Sequence, residues 1–248
     1  HRMGTAVVIP ARFGSQRLPG KPLLSRTGKP LIQHVYEQVR KARLPDEVVV
    51  ATDDRRIYDA VRAFGGRVLM TSSAHTSGTD RAAEVARTLP HPFFINVQGD
   101  EPEIEPALID RVAKTLEEDP QADWVTAACP VRGSKALQAS SVVKVVLDRR
   151  GYALYFSRAV IPYERGRETG IPARVLLHVG IYGFRREALL RFAKMPPSPL
   201  ERTERLEQLR ALEGGMRIRV LETRQTSRSV DTPEDYRQFV LRCRGTRK

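Results

Sequence analysis

Two acidic residues follow directly on an apolar run in the segment FFINVQGDEPEIEP, residues 93–106. The apolar part is typical of a buried strand, so Asp100 and Glu101 would stand at its carboxyl end. Open α/β sheets bind ligands beyond the carboxyl ends of their strands, where carboxylates, phosphate oxygens and water suit Mg2+. The alternative is that one of these acids caps the helix that follows Pro106. Gln98 needs its own explanation, because an amide near the end of a buried strand requires a hydrogen-bond partner.

A second candidate stretch, PARFGSQRLPGKP (10–22), follows the apolar run TAVVIP. It combines two glycines, which let the backbone approach a ligand closely, with Arg12, Arg17 and Lys21. Three cations in one loop suit a polyphosphate. The stretch is not a Walker A loop, because five residues separate its glycines and Pro22 replaces the metal-binding Ser or Thr. A solvated basic turn fixed by proline explains the same residues equally well.

Two further candidates stand at predicted helix starts. Asp231, in the segment SVDTPEDY, directly precedes Thr232, which is the predicted N-cap of the last helix. The residue types alone favour a helix start, although a metal site needs a second carboxylate and Asp231 could meet Asp100. Ser77 and Arg81 begin another predicted helix, which could bind an anion or a base edge, or could be an ordinary cap.

The second half of the chain offers weaker candidates. His178 alternates with Gly180 and Tyr182 on one face of a predicted strand. A single histidine in a strand is more often a structural residue, and the residue types alone favour that interpretation. Glu207 and Gln208 lie in a charged predicted helix, where a solvated face is the simplest interpretation.

Alternating strands and helices must position these residues in the first half of the chain. Strand-like runs occur at TAVVIP, EVVVATDD, RVLMT and FFINVQ, and stretches with helical spacing lie between them. Asp53 or Asp54 is a candidate cap for one of these helices, and a pair of glycines ends it. The alternation predicts an α/β fold with a mostly parallel sheet flanked by helices.

The second half is richer in strands. Residues 142–158 contain two β-rich runs around DRRG, which indicates a hairpin, and LHVGIYGF (177–184) is a further strand. The stretch SPLERTERLEQLRALEGG (198–215) is predicted as one helix with a capping box at Ser198 and Glu201.

The economical domain organisation is a single domain over residues 3–248. We place an inserted β-rich region at about residues 130–180 of it. His1 and Arg2 precede Met3, and we interpret them as remnants of cloning.

Composition restricts the class of function. The chain has 248 residues, with 42 Lys and Arg against 29 Asp and Glu and a net charge of +13. The basic residues are spread along the chain without interleaved aromatic residues, so we favour small anionic substrates over nucleic acid. The two cysteines form neither a disulfide framework nor a zinc motif, which fits the reducing cytoplasm. No apolar run approaches the length of a membrane span.

Taken together, these stretches resemble the 3-deoxy-D-manno-octulosonate (KDO) cytidylyltransferase family. The similar motifs follow the family's order over about residues 5–240: VIPARFGSQRLPGKPL, ATDD, SGTDR, NVQGDEP, VVKVVLD, GYALYFSRA, GIYGF, SPLE and VDTPED. The resemblance implies a Rossmann-like nucleotidyltransferase fold that uses Mg2+ to transfer CMP from CTP to KDO and releases pyrophosphate. It also implies a cytoplasmic homodimer, built through the inserted region, that serves lipopolysaccharide biosynthesis.

The resemblance assigns roles to the residues that match the family's motifs. Catalysis would rest on Arg12, Lys21, Asp100 and Asp231, and the two aspartates would bind Mg2+. The nucleotide would be bound by residues of the first half, namely Ala11, Arg12, Arg17, Lys21, Ser77, Arg81 and Gln98. The sugar acid would be bound by Gln98 and by residues of the second half, namely Arg158, His178, Tyr182, Glu207 and Gln208.

Two segments depart from the family's pattern. LQASSVVKVV stands where the family often has Asn-Pro-Asn, and YERGRETGIPARVLL follows Pro162 where the family usually has Trp-Asp-Arg. A related acid sugar, either an amino-substituted KDO or a nine-carbon sialic acid, is therefore the alternative substrate. A basic nucleic-acid-binding protein is a less favoured alternative. A Rossmann dehydrogenase is disfavoured, because no GxGxxG motif follows a strand.

Overall fold

A computed structural model of the chain describes residues 4–131, 135–165, 174–224 and 228–245. The chain divides into two compact units, the first formed by residues 1–114 and 227–248 and the second by residues 115–226. Each unit contains its own set of paired strands.

The first unit is built on a parallel sheet. Its strands are β1 (Thr5–Ala11), β2 (Glu47–Thr52), β3 (Val68–Met70) and β4 (Phe93–Asn96), and they lie in the order β3-β2-β1-β4. β1 pairs in parallel with β2 and β4, and β2 pairs in parallel with β3. The side chains of β1, β2 and β4 are buried almost throughout, as expected for strands that are covered on both faces. The predicted parallel α/β sheet is confirmed.

Helices follow these strands along the chain. They are α1 (Leu31–Val39), α2 (Arg55–Ala63), α3 (Gly78–Thr88) and α4 (Pro106–Glu118). The predicted cap of α2 is confirmed for Asp54, whose Oδ1 accepts a hydrogen bond from Arg56 N–H at 2.9 Å. The same helix ends just before Gly65, which has a φ of 78° that favours glycine.

The second unit contains a mixed set of strands. They are β5 (Trp124–Val131), β6 (Lys144–Leu147), β7 (Ala153–Ser157), β8 (Val175–Arg185) and β9 (Ile218–Glu222). β8 runs antiparallel to β5 and β6, β9 runs parallel to β5, and β6 and β7 form the predicted hairpin. Trp124 on β5 is fully buried, with its ring centroid 4.7 Å from Phe184 and 4.8 Å from Phe192.

The helices of the second unit correct one prediction. They are α5 (Arg186–Phe192), α6 (Pro199–Glu204) and α7 (Gln208–Glu213), so the single helix predicted over 198–215 is wrong. The break lies at Arg205, which has a φ of 53°. In an unbroken helix, Leu206 and Gln208 would point about 200° apart, whereas the break allows both side chains to be buried. The predicted partner in the capping box is confirmed, since Glu201 Oε2 accepts from Ser198 N–H at 3.0 Å.

The last helix, α8 (Pro233–Gly245), belongs to the first unit. Its predicted cap is confirmed, because Thr232 Oγ1 accepts a hydrogen bond from Asp235 N–H at 3.1 Å. The apolar face of α8 packs in a cluster formed by Leu18, Leu31, Val230, Tyr236, Phe239 and Val240. This cluster attaches the loop after β1 to the end of the chain.

No helix within the described ranges is long and apolar enough to cross a membrane. The organisation of residues 3–248 as one domain stays a prediction. The interpretation of His1 and Arg2 concerns residues outside the described part, and the divergent segment after Pro162 is described only as far as residue 165.

Candidate active site

Lys21 joins two carboxylates that are distant in the chain. The loop after β1 passes through Gly20, which has a φ of 64°, into a short 3₁₀ turn (Lys21–Leu23). This turn places Lys21 Nζ 2.9 Å from Asp100 Oδ2 and 3.2 Å from Asp231 Oδ1. Asp100 follows β4, the neighbour of β1 in the sheet. The strand order reverses between β1 and β4, which is where open α/β sheets bind their ligands.

Backbone contacts hold the two aspartates close together. Val230 N–H donates to the carbonyl of Asp100 at 2.8 Å, which aligns the segment before α8 with the segment after β4. Gly99 lies so close to β1 that a Cβ atom there would be 2.9 Å from the carbonyl oxygen of Pro10. The position of Asp100 therefore depends on a glycine before it.

Asp100 is a largely buried carboxylate, with 16% of its side chain exposed. Burial raises the pKa of Asp100, the charge of Lys21 partly offsets this, and the charge of Asp231 raises the pKa further. Its Oδ1 atom is buried and has no hydrogen-bond partner within the described ranges. Because Oδ2 accepts from Lys21, the alternative that Asp100 caps α4 is not what the structure shows.

The aspartate pair fits a hydrated divalent cation. It already holds one positive charge, the ammonium of Lys21, and the buried Oδ1 of Asp100 lacks a donor in the part of the chain that is described. The described residues contain no group of three or more His, Cys, Asp or Glu side chains suited to a metal. A cation held here would take two carboxylates from the protein and complete its shell with phosphate oxygens and water, as Mg2+ commonly does.

The basic loop is anchored by packing and presents its arginines to solvent. Leu18 is buried in the cluster against α8. Arg12 is exposed, and Arg17, with 70% of its side chain exposed, has Nη2 3.7 Å from Asp231 Oδ1. Ser229 Oγ donates to the other oxygen of that aspartate at 3.2 Å. The loop therefore carries two exposed guanidinium groups, an arrangement that suits a phosphorylated ligand.

Ser77 and Arg81 have structural partners. Ser77 caps α3 by accepting a hydrogen bond from Asp80 N–H at 3.1 Å, which is the ordinary cap. Arg81 is buried, and its guanidinium donates to the Ser72 carbonyl at 3.3 Å and to Asp53 at 3.4 Å. It thereby ties α3 to the segments that follow β2 and β3. Contact of these two residues with cytosine and ribose stays a prediction.

The predicted burial of the Gln98 amide at the end of a strand is wrong. β4 ends at Asn96, and Gln98 lies beyond it with an exposed side chain, so its amide needs no buried partner. The buried amide is that of Asn96, which is 5% exposed. Ala11 is the buried last residue of β1. Nucleotide or sugar contacts of Gln98 and Ala11 stay predictions.

The candidates on β8 form an aromatic group in the second unit. His178 Nε2 lies 2.9 Å from the hydroxyl oxygen of Thr126 on β5. The ring centroid of His178 is 5.1 Å from that of Phe156 and 5.3 Å from that of Tyr182. Burial lowers the pKa of His178 to about 4, so its imidazole is neutral at neutral pH. Burial and then the charge of Glu207 raise the pKa of Tyr182.

Glu207 and Gln208 lie at the start of α7. Gln208 is only 3% exposed, so the interpretation of a solvated helix face is wrong for this residue. The charge of Glu207 acts on Tyr182, and α7 packs against β7 within the second unit.

Arg158 is held by the backbone. Its guanidinium donates to three carbonyl oxygens, those of Ser140 at 2.8 Å, Glu204 at 2.7 Å and Arg205 at 3.1 Å. The carboxylate of Glu204 accepts from Arg158 N–H at 2.9 Å, and the fully buried Lys144 donates to the Arg158 carbonyl at 2.7 Å. The end of β7 is thus fixed to the end of α6.

Sequence reasoning missed three of these partners, namely Thr126, Lys144 and Glu204. Lys144 had a signal, because a lysine in the apolar run VVKVV needs buried acceptors. Thr126 and Glu204 are ordinary residues in their segments, and their partners lie 52 and 46 residues away.

Comparisons with known proteins identify the family of this chain. A family profile described as Cytidylyltransferase matches residues 6–218. A 3-deoxy-manno-octulosonate cytidylyltransferase from Geobacter sulfurreducens is 53% identical over 96% of this chain and 98% of its own. One from Syntrophotalea carbinolica is 49% identical over 98% of this chain and 100% of its own.

A solved structure of CMP:2-keto-3-deoxy-manno-octonic acid synthetase complexed with CTP superposes with a TM-score of 0.93 at 44% identity. The alignment covers 98% of this chain and 99% of that one. The predicted nucleotidyltransferase fold is confirmed. The chain belongs to the cytidylyltransferase family and, within it, to the 3-deoxy-manno-octulosonate cytidylyltransferases.

Proposed function

We propose that this enzyme transfers CMP from CTP to the anomeric hydroxyl of KDO and releases pyrophosphate. The observation that carries the proposal is the position of Lys21 between Asp100 and Asp231. A cation beside a pair of carboxylates, at the reversal of strand order, suits a triphosphate and its metal. Membership of the KDO cytidylyltransferases supports the choice of both substrates.

In this proposal, the KDO hydroxyl attacks the α-phosphorus of CTP in line and pyrophosphate leaves. Lys21 stabilises the charge on the α-phosphoryl oxygens, and Arg12 and Arg17 offset the charge of the leaving pyrophosphate. Asp100 and Asp231 would hold Mg2+, which supplies positive charge beside the phosphates. The contribution of the chain is positioning and electrostatics, and no covalent intermediate is needed.

The sugar acid would be recognised by the second-unit candidates. Tyr182 and the neutral His178 offer hydrogen bonds to sugar hydroxyls, and Arg158 offers positive charge to the carboxylate. Gln208 and Glu207 are the remaining residues that we propose to contact the sugar acid. This assignment is supported by the contact between the His178 and Tyr182 rings and by the presence of Glu207 in the same compact unit.

We also propose a cellular location and an oligomeric state for the enzyme. Because CTP is a cytoplasmic nucleotide and KDO is a component of lipopolysaccharide, we place the reaction in the cytoplasm as a step of lipopolysaccharide biosynthesis. We also propose a homodimer built through the β-rich region of the second unit. Leu154 on β7 and Tyr163 support this, because they are apolar or aromatic side chains with 60% and 87% exposure.

Pyrophosphate release tests the reaction. The assay would contain CTP, Mg2+ and KDO, with UTP, sialic acid and an amino-substituted KDO as controls, and each mixture would be repeated with EDTA. We expect release with CTP and KDO that EDTA abolishes. Release with the amino-substituted KDO but not with KDO would reassign the substrate and direct attention to the segment after Pro162. Absence of release with every sugar would overturn the proposal.

A further inference from the structure

Thr126 lies where the pairing of β5 with β8 is irregular. It faces Tyr182, whereas the next residue, Ala127, faces Val179. In a regular antiparallel ladder Ala127 would face Ile181, so β8 contains a bulge at this point. The side chain of Thr126 is fully buried beside this bulge.

The hydroxyl of Thr126 has three close polar neighbours. Its Oγ1 is 2.6 Å from the Ile181 carbonyl, 3.3 Å from the Val179 carbonyl and 2.9 Å from His178 Nε2. A hydroxyl has one proton to donate, and carbonyl oxygens can only accept. The hydroxyl therefore donates its proton to the Ile181 carbonyl, which is its nearest acceptor.

This assignment decides the state of the imidazole. If His178 Nε2 accepted the hydroxyl proton instead, Oγ1 and the Ile181 carbonyl would be two acceptors 2.6 Å apart with no proton between them. Nε2 therefore carries the hydrogen and donates to Thr126. In a neutral imidazole the other nitrogen, Nδ1, is then an acceptor.

We propose that Thr126 is a positioning residue that holds His178 in its Nε2–H tautomer, so that Nδ1 accepts a hydrogen bond from a hydroxyl of the acid sugar. This inference rests on the proposed function. Neutrality follows from burial, which lowers the pKa of His178 to about 4. The groups around the ring agree with a neutral state, because Phe156 is apolar and the raised pKa of Tyr182 keeps its phenol protonated.

The first test is the tautomer itself. In protein labelled with ¹⁵N-histidine, two-bond ¹H–¹⁵N spectra distinguish a protonated from an unprotonated ring nitrogen. We expect His178 to show a protonated Nε2 and an unprotonated Nδ1 in the wild type at neutral pH, without substrate. A protonated Nδ1, or an equal mixture, would overturn the inference whatever the enzyme's substrate is.

The second test uses two variants and kinetics. Thr126→Val keeps the shape but removes the hydroxyl, whereas Thr126→Ser keeps the hydroxyl. We expect Thr126→Val to shift the tautomer signals and to raise KM for KDO about 3- to 10-fold, which corresponds to one neutral hydrogen bond. KM for CTP should change by less than about twofold, and Thr126→Ser should restore both readouts.

The outcomes separate this inference from the proposed function. If the wild type shows the expected tautomer but uses no KDO, the proposed function fails, and the inferred contact with the acid sugar fails with it. If KDO is used but Thr126→Val alters both KM values and kcat equally, with an unchanged tautomer, Thr126 is merely structural. If Thr126→Val does not fold, the wild-type spectra and Thr126→Ser still decide the question.

Discussion

Lys21 and Asp100 form an ion pair 2.9 Å long between the segments that follow two neighbouring parallel strands, β1 and β4, with only 15% and 16% of their side chains exposed. The lysine also contacts Asp231 at 3.2 Å. The ammonium is thus a counter-charge that both carboxylates share. A divalent cation would have to displace it, and the triphosphate of CTP offers the displaced ammonium new partners. Binding of metal and of nucleotide should therefore be mutually dependent.

Replacing Lys21 with methionine should make Mg2+ binding independent of nucleotide. The variant leaves both carboxylates without their main counter-charge, so Mg2+ alone should stabilise it. We expect Mg2+ without CTP to raise the melting temperature of Lys21→Met by about 2 °C or more, and that of the wild type by much less.

The matched control is Lys29→Met. Lys29 pairs with Glu37 at 2.8 Å, and both side chains are 43% exposed. This control should respond to Mg2+ like the wild type. Equal responses of Lys21→Met and Lys29→Met would show that Lys21 does not compete with the metal.

The substitution Asp100→Asn should lower kcat by about 10²–10³ without unfolding the protein. The amide keeps the shape but removes the charge that would bind the metal. Because the carboxylate is buried and its pKa is raised, its loss should not destabilise the fold. Steady-state kinetics and urea unfolding would measure the two effects.

Asp59→Asn is the control for Asp100→Asn, since Asp59 forms an exposed pair with Arg55 at 2.9 Å. The kcat of the Asp59→Asn variant should equal that of the wild type. A fully active Asp100→Asn enzyme would remove Asp100 from the metal site.

The change Gly99→Ala should destabilise the protein by about 1–3 kcal/mol, because the added Cβ meets the Pro10 carbonyl at 2.9 Å. The adjoining Asp100 would shift with the backbone, so kcat should also fall. At Gly14 an added Cβ meets nothing within 4 Å. Gly14→Ala should therefore leave the free energy of unfolding nearly unchanged, and similar losses for both variants would contradict the close contact of Gly99 with β1.

The neutral imidazole of His178 should make stability depend on pH. Its pKa is about 4 in the folded protein, against an ordinary value of 6.5. Between these values the unfolded chain binds a proton that the folded chain does not. The contribution of His178 is therefore complete above about pH 6.5 and decreases as pH falls, by at most about 1.4 kcal/mol per unit.

Urea unfolding of the wild type and of His178→Gln would measure this effect. We expect the wild type to lose more free energy of unfolding than the variant between about pH 6.5 and about pH 5. Parallel pH profiles would mean that another group accounts for the change. Tyr182 lies beside the same imidazole but should not gain a proton in this interval, because its raised pKa keeps the phenol protonated.

The sequence predicted the parallel sheet well because its evidence was local. Apolar runs such as TAVVIP and FFINVQ, the cap at Asp54 and the Thr232-Pro233 helix start depend on neighbouring residues alone. The helix predicted over 198–215 failed because local periodicity does not register the burial of Gln208 in the second unit.

The candidate site was only partly accessible from the sequence. Asp100 was a candidate because it stands at a strand end, whereas the position of Asp231 favoured an ordinary helix start and only the family resemblance assigned it to the metal. The position of Lys21 between the two aspartates could not be predicted, because Lys21 is 79 residues from Asp100 and 210 residues from Asp231 in the sequence. The role proposed for Thr126 could not be predicted either, because it depends on a bulge in the partner strand, β8.

The first unit is made from both ends of the chain, and this has a consequence for biosynthesis. During translation, Lys21 and Asp100 leave the ribosome long before Asp231, which lies 131 residues after Asp100 (231 − 100). A nascent chain that has already formed its parallel sheet therefore still lacks the second carboxylate and α8. With the role proposed for Asp231, we therefore expect a chain that stops before Asp231 to be inert towards CTP rather than partly active.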